Sequence, residues 1–175
     1  MSSAGHSVRG FIRFFLHPEA PIARLEPPFD IMDFLASPSF QPFRSKGWQR
    51  SQQRLTRQED KFLQKMIGIV LRHLGDPDFD TRVATKEAGL SRMHLNRKLQ
   101  AIAGCSTRNF ICALRFRKAR ELLRQNAPNI STVAHSVGFR SPSHFAKAFR
   151  KRFGLSPSEF TKEETSKHTD SSPGV

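Results

Sequence analysis

The chain has 175 residues, room for one ordinary domain plus tails, and carries 29 Lys and Arg against 15 Asp and Glu for a formal net charge of +14. The excess is concentrated: residues 61–160 hold 19 basic and 6 acidic side chains, whereas residues 1–60 hold 8 and 6. Such a field attracts polyanions through release of the counterions condensed on their phosphates. Two cysteines, Cys105 and Cys112, and seven scattered His leave no disulfide framework or zinc site, and the short Phe11–Leu16 run, broken by Arg13, makes neither a signal peptide nor a membrane span.

Residues 1–55 hold six of the eleven prolines, Pro18, Pro21, Pro27, Pro28, Pro38 and Pro42, a density that blocks long helices. They also hold Phe11, Phe14, Phe15, Phe29, Phe34, Phe40 and Phe43, more apolar surface than a disordered tail normally carries. This segment is expected to be irregular, and its role is left open. Regular structure is expected from Thr56, because Thr56-Arg57-Gln58-Glu59 has the form of a capping box. Phe62, Met66, Ile69 and His73 then form an apolar stripe at helical spacing, which Gly75, Asp76 and Pro77 terminate.

The next helices follow from the same punctuation: about 81–88, about 92–103 after Ser91, a long connecting helix at about 107–125 after Ser106, about 130–137 after Asn129, and about 142–153 after Ser141 with Pro142 in its first turn. A last short helix opens at the capping box Ser156-Pro157-Ser158-Glu159, and the polar residues 165–175 read as a disordered tail. Arg115, Arg117, Lys118, Arg120 and Arg124 on the connecting helix are expected to be solvated, some of them meeting a nucleic-acid backbone. The result is an all-α chain of about seven helices.

Two stretches echo each other. Thr85 and Gly89 stand 49 residues before Ala134 and Gly138, while Leu95, Leu99, Gly104, Ser106 and Phe110 stand 50 before Phe145, Phe149, Gly154, Ser156 and Phe160. A small residue, a Gly four positions later, a tight turn, a capping Ser and an amphipathic helix make the sequence form of a helix-turn-helix. One such spacing arises by chance in many helical proteins, but its repetition with matched apolar positions points to two DNA-reading helices in one chain. In such a unit the second helix enters the major groove, and its early residues meet base edges.

On the helix at 92–103 the candidate base readers are Met93 against a thymine methyl, Asn96 with adenine and Arg97 bidentate to guanine; on the helix at 142–153 they are Ser143, His144 and Lys147. Ser91, Gln100, Ser141, Arg150 and Lys151 are candidate phosphate contacts. The bland alternative for each is a solvated polar group on an outward helix face, the usual fate of surface Arg and Lys.

Residues 57–160, above all I-S-T-V-A-H-S-V-G-F-R-S-P-S-H-F-A-K-A-F-R-K-R-F-G-L-S-P-S-E-F at 130–160, resemble the AraC/XylS-type DNA-binding domain. D-P-D-F at 76–79, L-S-R-M-H-L-N-R-K-L at 90–99 and F-I-C-A-L-R-F-R-K-A-R-E-L-L at 110–123 are most similar to output domains of regulators fused to two-component signalling proteins. The resemblance implies two homeodomain-like helix-turn-helix subdomains joined by a linker helix, double-stranded DNA as partner, and RNA polymerase or an upstream signalling domain as a further one. The chain departs from the pattern at Thr81, Ala84, Thr85 and Ala88, where the family usually has larger apolar residues or, at position 85, Ala. That departure implies looser packing of the second helix. About 55 Pro-rich residues upstream are too few for a ligand-sensing barrel or a receiver domain.

The expected function is sequence-specific DNA binding in transcription regulation, through residues 56–164 and in the cytoplasm. The alternative is a non-specific architectural DNA-binding or RNA-binding basic protein. Against RNA stands the placement of the repeat's Phe residues on the core face, where they cannot stack on bases. No Gly-rich phosphate loop, metal-ligand cluster or paired nucleophile and base is visible, so neither an enzyme, a cofactor nor a metal is expected.

Overall fold

The computed structural model describes Leu35, Phe40, residues 55–125 and residues 129–169. Seven helices lie between Arg57 and Thr169: α1 (Arg57–Arg72), α2 (Thr81–Ala88), α3 (Arg92–Ala103), α4 (Thr107–Arg124), α5 (Ile130–Ser136), α6 (Pro142–Phe153) and α7 (Pro157–Thr169). No strand occurs among the described residues. The fold is all-α: α2 and α3 form one helix-turn-helix, α5 and α6 the second, and α4 runs between them.

The helix starts are set by side chains that accept from otherwise unpaired first-turn amides. Thr56 Oγ1 accepts from Glu59 N at 3.2 Å while Glu59 Oε2 accepts from Thr56 N at 2.9 Å, the expected capping box. Asp80 Oδ1 caps α2, accepting from Arg82 N and Val83 N; the bond from Val83 holds its carboxyl below the usual carboxylate range, against the opposing effect of burial. Ser91, Ser106, Asn129 and Ser141 cap α3 to α6. Ser156 and Glu159 exchange the second capping box.

α7 continues to Thr169, five residues beyond the expected boundary at 164. Along it the hydroxyls of Thr161, Thr165 and Ser166 donate to carbonyls one turn back, and Glu164 ties the helix to Arg124 of α4 at 2.8 Å. Residues 170–175 lie outside the described residues, as do residues 1–54 apart from Leu35 and Phe40. Those two side chains are buried in the hydrophobic core.

The core is built differently at its two ends. Around the first unit it is mainly aliphatic, with Leu63, Met66, Val70, Leu95 and Leu99 buried. Around the second it is a cluster of rings: Phe116 of α4 lies 5.4 to 5.9 Å from Phe139, Phe145, Phe149 and Phe153, and Phe149 packs on Phe160. Such tilted and edge-to-face pairs add to area burial about 0.5–1.5 kcal/mol each.

α4 buries Phe110, Ile111, Leu114, Phe116, Leu122 and Leu123 because both units pack on it. That position changes the expectation for its basic residues, which are held by protein groups rather than simply solvated. Arg115 Nη2 donates to the Asp76 and Phe79 carbonyls at 2.7 and 3.3 Å. Arg120 lies over the Phe153 and Phe160 rings, Arg124 pairs with Glu164, and Arg117 and Lys118 pair with Glu121. Burial pushes the guanidinium pKa values of Arg115, Arg117 and Arg120 down. Among the described residues no helix is long and apolar enough to cross a membrane.

Candidate nucleic-acid interface

The two turns that aim α3 and α6 have the same hydrogen-bond pattern. Leu90 N donates to Thr85 O and Phe139 N to Ala134 O, each closing the turn behind a Gly in the left-handed region, Gly89 at φ 69° and Gly138 at φ 78°. A β-carbon disfavours that conformation by about 1–2 kcal/mol, which is why Gly recurs at both places. The residue that opens each pair differs. Ala134 is fully buried, whereas Thr85 is half-buried and its hydroxyl donates to Arg82 O within its own helix at 2.8 Å.

Below each turn the second helix of the unit buries one edge and exposes the other. Leu95, Leu99 and Ile102 of α3 and Phe145 and Phe149 of α6 are buried. On the opposite faces Met93 and Arg97, and Ser143, Lys147, Arg150 and Lys151, are exposed; Gln100 is half-buried. Met93 is 80% exposed on the outward face of α3. Neither helix contains an Asp or Glu, so nothing on these faces opposes a phosphate backbone. α6 ends in Arg150, Lys151 and Arg152, where cations also complement the helix dipole.

Individual candidates acquire distinct surroundings. Ser91 Oγ and Ser141 Oγ accept from His94 N and His144 N at 3.2 and 3.3 Å, so each serine orients the first turn of its helix while remaining exposed. The His144 ring lies 5.9 Å from Phe139, which ties it to the second core. Asn96 is at the shoulder of α3: its carboxamide oxygen accepts from Thr107 N at 3.1 Å and braces the start of α4. That oxygen is the atom that would accept from an adenine amino group. His94 is exposed at the position equivalent to His144, 50 residues earlier, and was missed by sequence reasoning although the repeat offset that pairs Arg97 with Lys147 identifies it.

Around the first unit the surface is cross-linked. Glu87 of α2 accepts from Arg72 at 2.9 Å and contacts His73, whose ring stacks on Phe79 at 4.7 Å. Burial pushes the Glu87 carboxyl up, but the hydrogen bonds from Arg72 and His73 outweigh it and hold the group below its ordinary range. Lys65 donates to Ala88 O at 3.0 Å and so fastens α1 to the end of α2. The exposed faces of α3 and α6 take no part in these links. Among the described residues no three His, Cys, Asp or Glu side chains are placed to hold a metal ion.

Residues 84–163 match the family model described as a helix-turn-helix domain. The chain is 34% identical over 119 residues to the HTH-type transcriptional regulator MtrA of Neisseria gonorrhoeae, covering 67% of this chain and 36% of that one. It spans about a third or less of the curated relatives it matches. Its fold is similar to that of an AraC-type transcriptional regulator from Chromobacterium violaceum, with a TM-score of 0.57 at 24% identity over 68% of this chain and 100% of that one. It is also similar to the DNA-binding domain of the global transcriptional factor AdpA solved with a target DNA, with a TM-score of 0.56 at 25% identity over 61% of this chain and 96% of that one. Residues 84–163 are thus a helix-turn-helix domain, and the double helix-turn-helix fold of the chain is similar to that of AraC-type DNA-binding domains.

Proposed function

We propose that this chain is a sequence-specific DNA-binding transcription regulator that places α3 and α6 in successive major grooves on one side of double-stranded DNA. The observation that carries this reading is the pair of exposed, carboxylate-free helix faces presented by equivalent turns of one monomer. The likeness to a domain solved on its target DNA supports it. Met93 and Arg97 read one half-site, and Ser143, His144 and Lys147 the other. Ser91, Gln100, Ser141, Arg150 and Lys151 serve the phosphates. Asn96 contributes chiefly by bracing α4, and His94 joins the groove-facing set.

The reading makes the protein a non-enzymatic regulator of the cytoplasm, working through residues 56–164. RNA polymerase or an upstream signalling domain would be its further partner, the latter suggested by the similarity of residues 76–123 to signalling-protein output domains. Because the two groove helices are not identical, the site is asymmetric. It spans roughly 16 to 20 base pairs, with half-sites about 34–36 Å apart. Selection of bound duplexes from random DNA with the full chain should return two different half-sites. Recovery of no preferred sequence, with affinity falling equally for all duplexes as salt rises, would instead make the protein a non-specific polyanion binder.

A further inference from the structure

The two helix-turn-helix units touch where neither reads DNA. The loop after α1 and the turn between α5 and α6 meet over the middle of α4. A methyl group built on Gly138 would lie 2.6 Å from the Leu74 carbonyl oxygen and 2.8 Å from Arg115 Nη2, so only Gly fits there. On the other side of the contact, a methyl on Gly75 would lie 3.2 Å from the Ser136 carbonyl oxygen. The Arg115 guanidinium, held against Gly138, donates to the Asp76 and Phe79 carbonyls of the first unit. Across the rim Arg140 of the second unit pairs with Asp78 of the first.

We infer that this junction is a spacing latch: Arg115, with the Asp78–Arg140 pair over Gly138, fixes α3 relative to α6 and so selects the number of base pairs between the half-sites. The inference rests on the proposed DNA-reading function and adds to it the residues that set the geometry. α4 alone joins the units along one line, about which they could rock. Contacts away from that line remove this freedom. A one-base-pair change displaces the second half-site by about 3.4 Å along the duplex and about a tenth of a turn around it. A frame held at a distance from α4 resists that displacement, whereas a hinge accommodates it. The side chains of the Asp78–Arg140 pair are 75% and 68% exposed, so solvent screens them and Arg115 carries the larger share.

The test uses the full chain and the selected duplex, with the spacer shortened or lengthened by one base pair. The wild type should lose about tenfold or more in affinity on either change. Arg115→Met keeps the aliphatic stem and removes the donors. It should bind the original spacing within about threefold and lose most of the wild type's discrimination among spacers while keeping its base preferences inside each half-site. Asp78→Ala/Arg140→Ala, which alters only exposed side chains, should relax the preference less, and the exchanged pair Asp78→Arg/Arg140→Asp should restore it. A variant that merely unfolds in part loses affinity for all spacers equally, so retention of the wild-type spacer ratio in Arg115→Met overturns the latch. Equal binding of all three spacers by a wild type that reads both half-sites overturns it as well, while leaving the DNA-reading function intact. A wild type with no sequence preference overturns both.

Discussion

The first and second helix-turn-helix units share a turn, a cap and an exposed second helix, yet they are secured by different means. The second is built on a ring cluster around Phe116, its leading Ala134 is buried, and its Gly138 turn is pressed against the Leu74 carbonyl. The first has a mainly aliphatic core, carries Thr85 in the equivalent place, and has open space around Gly89. It makes up tertiary contact through polar links: Glu87 with Arg72 and His73, and Lys65 with the Ala88 carbonyl. These polar links join α2 to α1 and the loop after it beside the small buried Ala84 and Ala88, and they are more sensitive to pH and salt than packed methyl groups.

This contrast can be broken at several levels. The largest loss is expected from Phe149→Ala, which empties the middle of the ring cluster at a cost of about 3–5 kcal/mol, against about 2–5 kcal/mol for Leu95→Ala in the first unit. Urea denaturation of both variants compares the two cores. Next come the turn glycines. Gly89→Ala should cost about 1–2 kcal/mol from its backbone angle alone, and Gly138→Ala more, because its methyl meets the backbone of Leu74 as well. Equal losses in thermal melts would mean that the contact between the units is not closed in solution. Ser91→Ala and Ser141→Ala remove equivalent caps and should each cost about 1 kcal/mol.

The smallest effect distinguishes the units by acid. The Glu87 carboxyl is held below its ordinary pKa of 4.5, so its contribution is fully present above that pH and is lost as pH falls through the lowered value. Melting temperature should fall more steeply on acidification in the wild type than in Glu87→Gln. Parallel curves would remove Glu87 from the account.

Much of this arrangement was legible because it is local. The caps at Thr56, Ser91, Ser106, Asn129 and Ser141 are short-range patterns, and the 49- and 50-residue offsets located both turns and both groove helices. What escaped depends on distance in sequence. Arg115 reads as an exposed helix cation, but its carbonyl acceptors lie 36 and 39 residues away, and nothing local marks them. Asn96 reads as a groove residue from its helical position, and nothing local marks that its carboxamide oxygen also accepts from an amide 11 residues on. The extension of α7 past residue 164 was hidden by a composition that resembles a tail, while its tie to α4, Arg124 with Glu164, spans 40 residues of sequence.

The central claim is that one monomer reads two half-sites with two unequal helices. It is tested most directly by repeating the random-DNA selection with Arg97→Ala and Lys147→Ala of the full chain. Each substitution should erase preference at one or two positions of a single half-site, at about 1–3 kcal/mol of discrimination, and leave the other half-site as in the wild type. Affinity that falls equally on every sequence in both variants would contradict the account.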